Sequence, residues 1–245
     1  MKVLETRFLE KHFYQVAALK GVDICVEEGE LLGLIGPNGS GKTTLFDCIT
    51  GILRPNGGKI LFKGKDITNF KPHTIYRMGI GRTFQLVQLF PEMTVLDNML
   101  LAIQENQRNM MGRLFKINED ENIDKANVLL KFLKIDHLRN DAAKTLSYGQ
   151  QKLLDLGMVL IPDPDLILLD EPLAGVNRSL AMEIIDRVSQ LNEQGRTFIV
   201  IEDDMKVVMN LCKRIVVLDY GEKIVEGTSE EIQKNEDVLT AYFGG

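Results

Sequence analysis

Apolar and polar positions follow three different rhythms along the chain. Near the start, Val22, Ile24 and Val26 alternate with Asp23, Cys25 and Glu27, the period of a half-buried strand. After a Glu-Gly-Glu turn, LLGLI at 31–35 is a short unbroken apolar run, suited to a strand covered on both faces. TLFDCIT reads as a helix that Gly51 caps, RPNGGK as a turn, and ILF as the start of another strand. From about residue 86 to 160 the spacing becomes helical. Thr94 caps VLDNMLLAIQ, with Asp97 favourably placed in its first turn. Ile123, Ala126, Leu130 and Leu133 mark one face of a second helix, and 147–161 forms a third that Pro162 ends. NQRN (106–109) and NEDEN (118–122) read as solvated loops or helix ends.

Alternation then resumes. A strand at 166–169 is followed by a helix at 178–193 with Gly195 behind it, a strand at 197–201, a helix at 205–212 and a strand at 215–218. A hairpin through DYGEK and two short helices complete the pattern. Strands alternating with helices imply right-handed crossovers and a mainly parallel sheet. The expectation is one α/β domain, 1–245, with a helical lobe inserted in it and no internal repeats.

Composition narrows the classes. With 245 residues, 44% hydrophobic and 26% charged, the chain is ordinarily globular and long enough for a sizeable core. A formal charge of −6 leaves no basic footprint, so nucleic acid is not an expected partner. Cys25, Cys48 and Cys212 match no metal or disulfide spacing and read as reduced thiols. No apolar stretch approaches the ~18 residues of a membrane span, and MKVLETRFLEK lacks the apolar core of a signal peptide. A soluble, cytoplasmic protein is expected, serving a membrane only by docking to a partner.

The chemistry is concentrated in a few motifs. GPNGSGKT, 36–43, fits G-x-x-x-x-G-K-[ST] between a predicted strand and a predicted helix. Average composition gives such a match about one chance in a hundred in this length. Gly36, Pro37, Asn38, Gly39, Ser40 and Gly41 would fold their amides around phosphate oxygens at a helix N-terminus. Lys42 would reach the β and γ phosphates, and the Thr43 hydroxyl, with Thr44 beside it, would face Mg²⁺. LILLDEP, 166–172, builds an apolar strand with Asp170 at its end, placed to hold Mg²⁺ through water. Glu171 follows, where it can orient and deprotonate a water aimed at the γ-phosphate. A second strand, FIVI at 198–201, runs into three consecutive acids, Glu202, Asp203 and Asp204.

LSYGQQ, 146–151, resembles the L-S-G-G-Q signature of the ABC ATPases, with Tyr148 in place of the first glycine. Taken alone it could be no more than a helix N-cap at Ser147; its place about twenty residues before the acidic strand makes it telling. The resemblance covers nearly the whole chain. It implies that Gln85 in GRTFQ touches Mg²⁺ and the attacking water, and that Phe13 (or Tyr14) stacks on adenine. It implies that LAGVN, 173–177, is the D-loop, with Asn177 where many members carry Asp, and that Glu202-Asp203-Asp204 is the switch loop facing the γ-phosphate. It also implies that Ser147, Tyr148, Gly149 and Gln150 close over the nucleotide of a second subunit.

Within the family the chain is most similar to the ATPase subunit of branched-chain amino acid importers. GIGRTFQLVQLFPEMTVLDNMLLA (79–102), EPLAGVN, IEDDMKVVM and NEDVLTAYFG carry that likeness. Lipid-export ATPases share part of the pattern. The resemblance implies a P-loop NTPase (RecA-like) core with an N-terminal antiparallel β subdomain and an inserted α-helical subdomain. The core would span 1–85 and 162–245, and the helical subdomain 86–161. It further implies ATP and Mg²⁺ as cofactors and dimerisation with a like subunit, homodimeric or a close paralogue. Integral membrane permease subunits, and indirectly a solute-binding protein, complete the expected partners, at the cytoplasmic face of the membrane. A lipid or polysaccharide exporter subunit and a weakly hydrolysing regulatory subunit are the alternatives. Soluble ABC ATPases of DNA repair or translation need long insertions or tandem cassettes, which this chain lacks.

Two further expectations concern single segments. Asp203 stands where the family switch residue is normally His; a carboxylate there is expected to turn away from phosphate, towards Lys206. In QLVQLFPEM (85–93), Leu86, Val87, Leu89 and Phe90 either dock a membrane subunit or pack the lobe's own core. His12, His73 and His137 match no catalytic position and read as surface residues.

Overall fold

The computed structural model describes residues 1–106 and 119–243. Its first sheet is antiparallel and holds β1 (Lys2–Phe13), β2 (Val16–Val22), β3 (Cys25–Glu27), β5 (Gly57–Phe62) and β6 (Lys65–Asp66), with β1 pairing β2, β3 and β5. The period-two run at 22–27 is interrupted here. Ile24 donates its N–H to Thr6 Oγ1 (2.9 Å), and the Asp23 carboxylate accepts the Phe8 N–H, so side chains replace ladder bonds at the bend.

The second sheet has the order β11-β10-β4-β9-β8-β7. Its members are β4 (Leu31–Ile35), β7 (Ile80–Arg82), β8 (Leu166–Asp170), β9 (Phe198–Ile201), β10 (Arg214–Asp219) and β11 (Glu222–Gly227). All its pairings are parallel except the β10–β11 hairpin. The mainly parallel sheet is as expected from the strand–helix alternation. The edge strand β7 was not foreseen, because IGR is short and carries a glycine.

Period-two placement sends alternate side chains of these buried strands into two separate cores. Leu32, Leu34, Leu166, Leu168, Ile199, Ile201, Val216 and Leu218 pack towards α1 (Lys42–Ile49) and the antiparallel sheet. Ile35, Ile167, Leu169, Val200, Ile215 and Val217 face the other core. That core includes residues of α3 (Val95–Asn106), α4 (Glu119–Phe132), α5 (Tyr148–Leu160), α6 (Arg178–Glu193) and α7 (Met205–Leu211). A strand used on both faces needs apolar residues at every position, which LLGLI, LILL and FIVI supply. Two short helices, α8 (Ser229–Lys234) and α9 (Glu236–Phe243), close the described chain, and α2 (Pro72–Arg77) precedes β7.

In the helical stretch, Thr94 accepts the Asp97 N–H at 3.0 Å, and Ala126, Leu130 and Leu133 are fully buried. Residues 119–122 form the start of α4, whereas Asn118 and most of NQRN, 107–109, lie outside the described residues.

Candidate functional site

β4, β9 and β8 are neighbours in the sheet, and their carboxyl ends deliver the candidate chemistry to one edge. Such an edge is where open α/β sheets carry their ligands. β4 runs into the loop 36–41, which leads into α1. Gly36 and Gly41 have φ of 153° and 105°. A Cβ on Gly36 would fall 2.1 Å from the Leu218 carbonyl oxygen, and one on Gly41 2.6 Å from that of Ala18, so only glycine fits. Lys42 is buried and folds back, its Nζ donating to the carbonyls of Gly36 (2.6 Å) and Pro37 (3.2 Å). Ser40 Oγ is buried with no partner among the described residues. α1 begins at Lys42 with no side-chain cap and no acid in its first turn, while Thr43 is exposed there and Thr44 half-buried. The uncapped first-turn amides of α1, an orphan hydroxyl and a cation held on carbonyls fit a phosphate group.

Asp170 and Glu171 stand at the end of β8. Asp170 is 2% exposed and accepts Arg82 Nη2 at 2.7 Å; the same guanidinium reaches Asp47 Oδ1 of α1 at 2.6 Å. Arg82 therefore ties the edge strand to both α1 and the acid, and one cation between two carboxylates keeps a buried cluster paired. Glu171 has φ of 47°, a conformation costly for a side-chain-bearing residue, and its N–H donates to the Ile201 carbonyl at 3.0 Å. Burial raises the Glu171 carboxyl, helped by Asp203 and Asp170 and opposed by Gln85 and Lys42. Gln85, on the loop after β7, donates Nε2 to Glu171 Oε2 at 2.8 Å.

The three acids after β9 part company. Glu202 is buried, its Oε1 accepting the Leu173 N–H at 2.7 Å, and burial pushes its carboxyl up to about 7. Asp204 caps α7 by accepting the Lys206 N–H at 2.9 Å. Asp203 does not turn to Lys206: its Oδ1 lies 3.8 Å from Lys42 Nζ. The expectation fails because the nearer cation is the phosphate-loop lysine, whose amine sits at the end of the adjacent strand. The Tyr242 hydroxyl of α9 is buried beside the Gly36 amide, and burial raises it to about 12.

The remaining candidates lie elsewhere. Ser147 caps α5 in a reciprocal box with Gln150, whose Oε1 accepts the Ser147 N–H at 2.9 Å. Tyr148 packs on Gly175, and Gly149 adjoins Leu180. No hydrogen bond or ion pair joins Ser147, Tyr148, Gly149 or Gln150 to residues 36–44 among the described residues. Phe13 ends β1 at 41% exposed with Lys11 Nζ 5.2 Å from its ring centre, and Tyr14 is fully exposed. Leu86 and Phe90 are exposed, whereas Leu89 packs against the helical core, which splits the QLVQLFPEM segment between the two readings open for it.

Arg82, Asp47 and Lys152 were not singled out from the sequence. The one signal for Arg82 is its place beside Gln85 in GRTFQ. For a metal, no cluster of three His, Cys, Asp or Glu side chains exists among the described residues. Thr43, Gln85 and Asp170 offer only hard oxygen donors, a set that suits Mg²⁺ completed by waters and phosphate rather than a protein-only cage.

The chain and its fold resemble those of known proteins. The ABC transporter family model matches residues 19–174, and a model described as branched-chain amino acid ATP-binding cassette transporter matches 222–245. The chain is 42% identical to the probable branched-chain amino acid transport ATP-binding protein LivG of Archaeoglobus fulgidus, over 100% of this chain and 96% of that one. Identity to the high-affinity branched-chain amino acid transport ATP-binding protein BraF of Pseudomonas aeruginosa is 38%, over 99% and 98%. The crystal structure of a nucleotide-free ATP-binding cassette from an ABC transporter superposes with a TM-score of 0.88, at 39% identity and full coverage of both chains. A cassette solved as a post-hydrolysis dimer bound to ADP and Pi gives a TM-score of 0.81 at 27% identity, over 92% and 98%.

Proposed function

The chain belongs to the ABC transporter family as an ATP-binding ATPase subunit, and from that membership we propose that it powers import of branched-chain or other hydrophobic amino acids. The P-loop NTPase fold expected from its motifs is the fold of the cassettes it resembles. The observation that most supports the reading is the convergence of Asp203 and Glu171, from adjacent strand ends, with Lys42 at the start of α1, on a chain alike end to end to such subunits.

In this reading the loop Gly36–Gly41 and Lys42 hold the phosphates of ATP, and Phe13 lies against the adenine. Thr43, Asp170 and Gln85 would hold Mg²⁺, which when bound would neutralise charge on the phosphates. Glu171 accepts the proton of the attacking water, and Gln85, already bonded to it, orients that water. A raised carboxyl suits a base better than an ordinary one. Residues 1–85 with 162–245 form the nucleotide-binding core and 86–161 the helical subdomain. Ser147, Tyr148, Gly149 and Gln150 serve the nucleotide of a second like subunit, in keeping with the lack of any bond, among the described residues, between them and their own phosphate loop. No helix among the described residues is long and apolar enough to cross a membrane. By likeness to the relatives, the subunit works at the cytoplasmic face through permease subunits fed by a solute-binding protein.

The test is reconstitution in liposomes with the permease subunits that co-purify with it and their binding protein. ATP-dependent leucine uptake that stops with Lys42→Ala is expected. Uptake of an unrelated solute, or lipid efflux, would overturn the substrate assignment.

A further inference from the structure

Helix α5 carries a lysine that the reaction described above does not use. Lys152 is 5% exposed, and its Nζ donates to two backbone carbonyls, that of Gln85 at 3.0 Å and that of Glu171 at 3.3 Å. These acceptors lie 67 and 19 positions away in the chain and belong to the two residues that meet at 2.8 Å. One turn further along α5, the buried Asp155 carboxyl faces the backbone amide of Gln88. The segment 85–88 is thus gripped at both ends by one face of one helix.

A buried cationic side chain is expensive unless its bonds are made, and an apolar residue of similar volume is often the more stable choice. Glu171 supplies a reason to keep it. Its positive φ persists only if the neighbours over-determine it. The Ile201 carbonyl holds its N–H, and its carbonyl is shared by Lys152 and the Ala174 N–H (3.1 Å), so both flanking peptides are fixed. Among the described residues, Lys152 alone joins the outgoing one to α5. The same helix starts at the Ser147 capping box, and Lys152 Nζ lies 5.8 Å from the centre of the Tyr148 ring.

We propose that Lys152 is a positioning residue that sets the backbones of Glu171 and Gln85 and links them to the Ser147 end of α5. The inference rests on the reading of Glu171 as base, and deepens it: whatever shifts α5 shifts the base with it.

The test uses the full chain and three readouts. In Lys152→Met, amide hydrogen exchange in the segments 84–89 and 171–175 should rise about fivefold or more without nucleotide, with the rest of the chain unchanged. ATP affinity should stay within about threefold while kcat falls about tenfold or more, the pattern of a group that acts on the reaction rather than on binding. Lys152→Arg, which can still serve two carbonyls, should restore both. Unchanged exchange in these segments, or an unchanged kcat, overturns the proposal, as does loosening spread evenly over the whole chain. If Lys152→Met does not fold, Lys152→Gln carries the same expectation at smaller size, and failure of both to fold makes the lysine a folding residue and also overturns it. If the unmodified chain binds no ATP the functional reading falls, while exchange at 84–89 and 171–175 still decides the role of Lys152.

Discussion

Asp203 Oδ1 stands 3.8 Å from Lys42 Nζ, so an acid at the tip of β9 shares the cation that the phosphate loop offers to its ligand. An anion entering the loop must displace or tolerate that carboxylate. At about 4 Å the interaction of two charges runs from about 1 kcal/mol in water to about 4 at an effective dielectric of 20. Asp203, 56% exposed, belongs towards the lower end. Asp203→Asn should therefore tighten ATP binding about tenfold by calorimetry. Asp203→His should raise kcat several-fold by adding a donor. Equal affinities for the parent and Asp203→Asn would show that the carboxylate moves aside at no cost.

Glu171→Gln keeps the shape and the Gln85 contact but cannot accept a proton. Turnover should fall about 10²–10⁴-fold with ATP binding intact. ATP-dependent dimers should then accumulate on gel filtration. Because burial, Asp203 and Asp170 raise the carboxyl, the parent's kcat should fall on the acid side at a higher pH than an ordinary glutamate would give.

Glu202 predicts a pH-dependent stability. Its carboxyl rises from 4.5 to about 7 on burial, so between these values the folded chain keeps a proton that the unfolded chain releases. The contribution is fully present below pH 4.5 and is lost as pH rises through about 7. Gln at this position retains an oxygen for the Leu173 N–H and never ionises. Glu202→Gln should match the parent near pH 4.5 and exceed it by about 2–3 kcal/mol at pH 8. Thermal melts across that range decide it; a constant difference would mean that Glu202 titrates normally.

Leu86 and Leu89 separate docking from folding. Leu86 is 73% exposed whereas Leu89 packs against the helical core. Leu86→Glu should leave melting temperature and ATP affinity unchanged and abolish co-purification with the permease subunits. Leu89→Glu should lose several kcal/mol of stability, because it buries an unpaired charge. Retained co-purification in Leu86→Glu would move the docking surface elsewhere.

What the chain revealed in advance depended on range. The phosphate loop and the acids after LILL and FIVI declare themselves locally, because strand, turn and helix signals are contiguous there. Both faces of β8 were legible for the same reason. Arg82 was not, since its role appears only when a partner 88 positions away folds beside it, and a three-residue strand with a glycine carries little pattern. Lys152 was hidden in the same way, as a polar letter in a helix whose buried face looks like ordinary core. Asp203 was legible as an anomaly, but its counter-ion was misjudged. Sequence proximity favoured Lys206, and the sheet order favoured Lys42.

The ladder of β4, β9 and β8 also acts as a ruler. Neighbouring strands lie about 4.8 Å apart, so the intervals between the loop at 36–41, the acids at 202–204 and those at 170–171 are set by backbone pairing. Among the described residues, helices α3, α4 and α5 enter no rung of that ladder. Exposed positions on these helices can change at the small cost usual for surface substitutions, while their buried faces stay committed to the core. The surface offered to a partner can therefore diverge from one relative to the next while the graduations of the ruler are inherited unchanged.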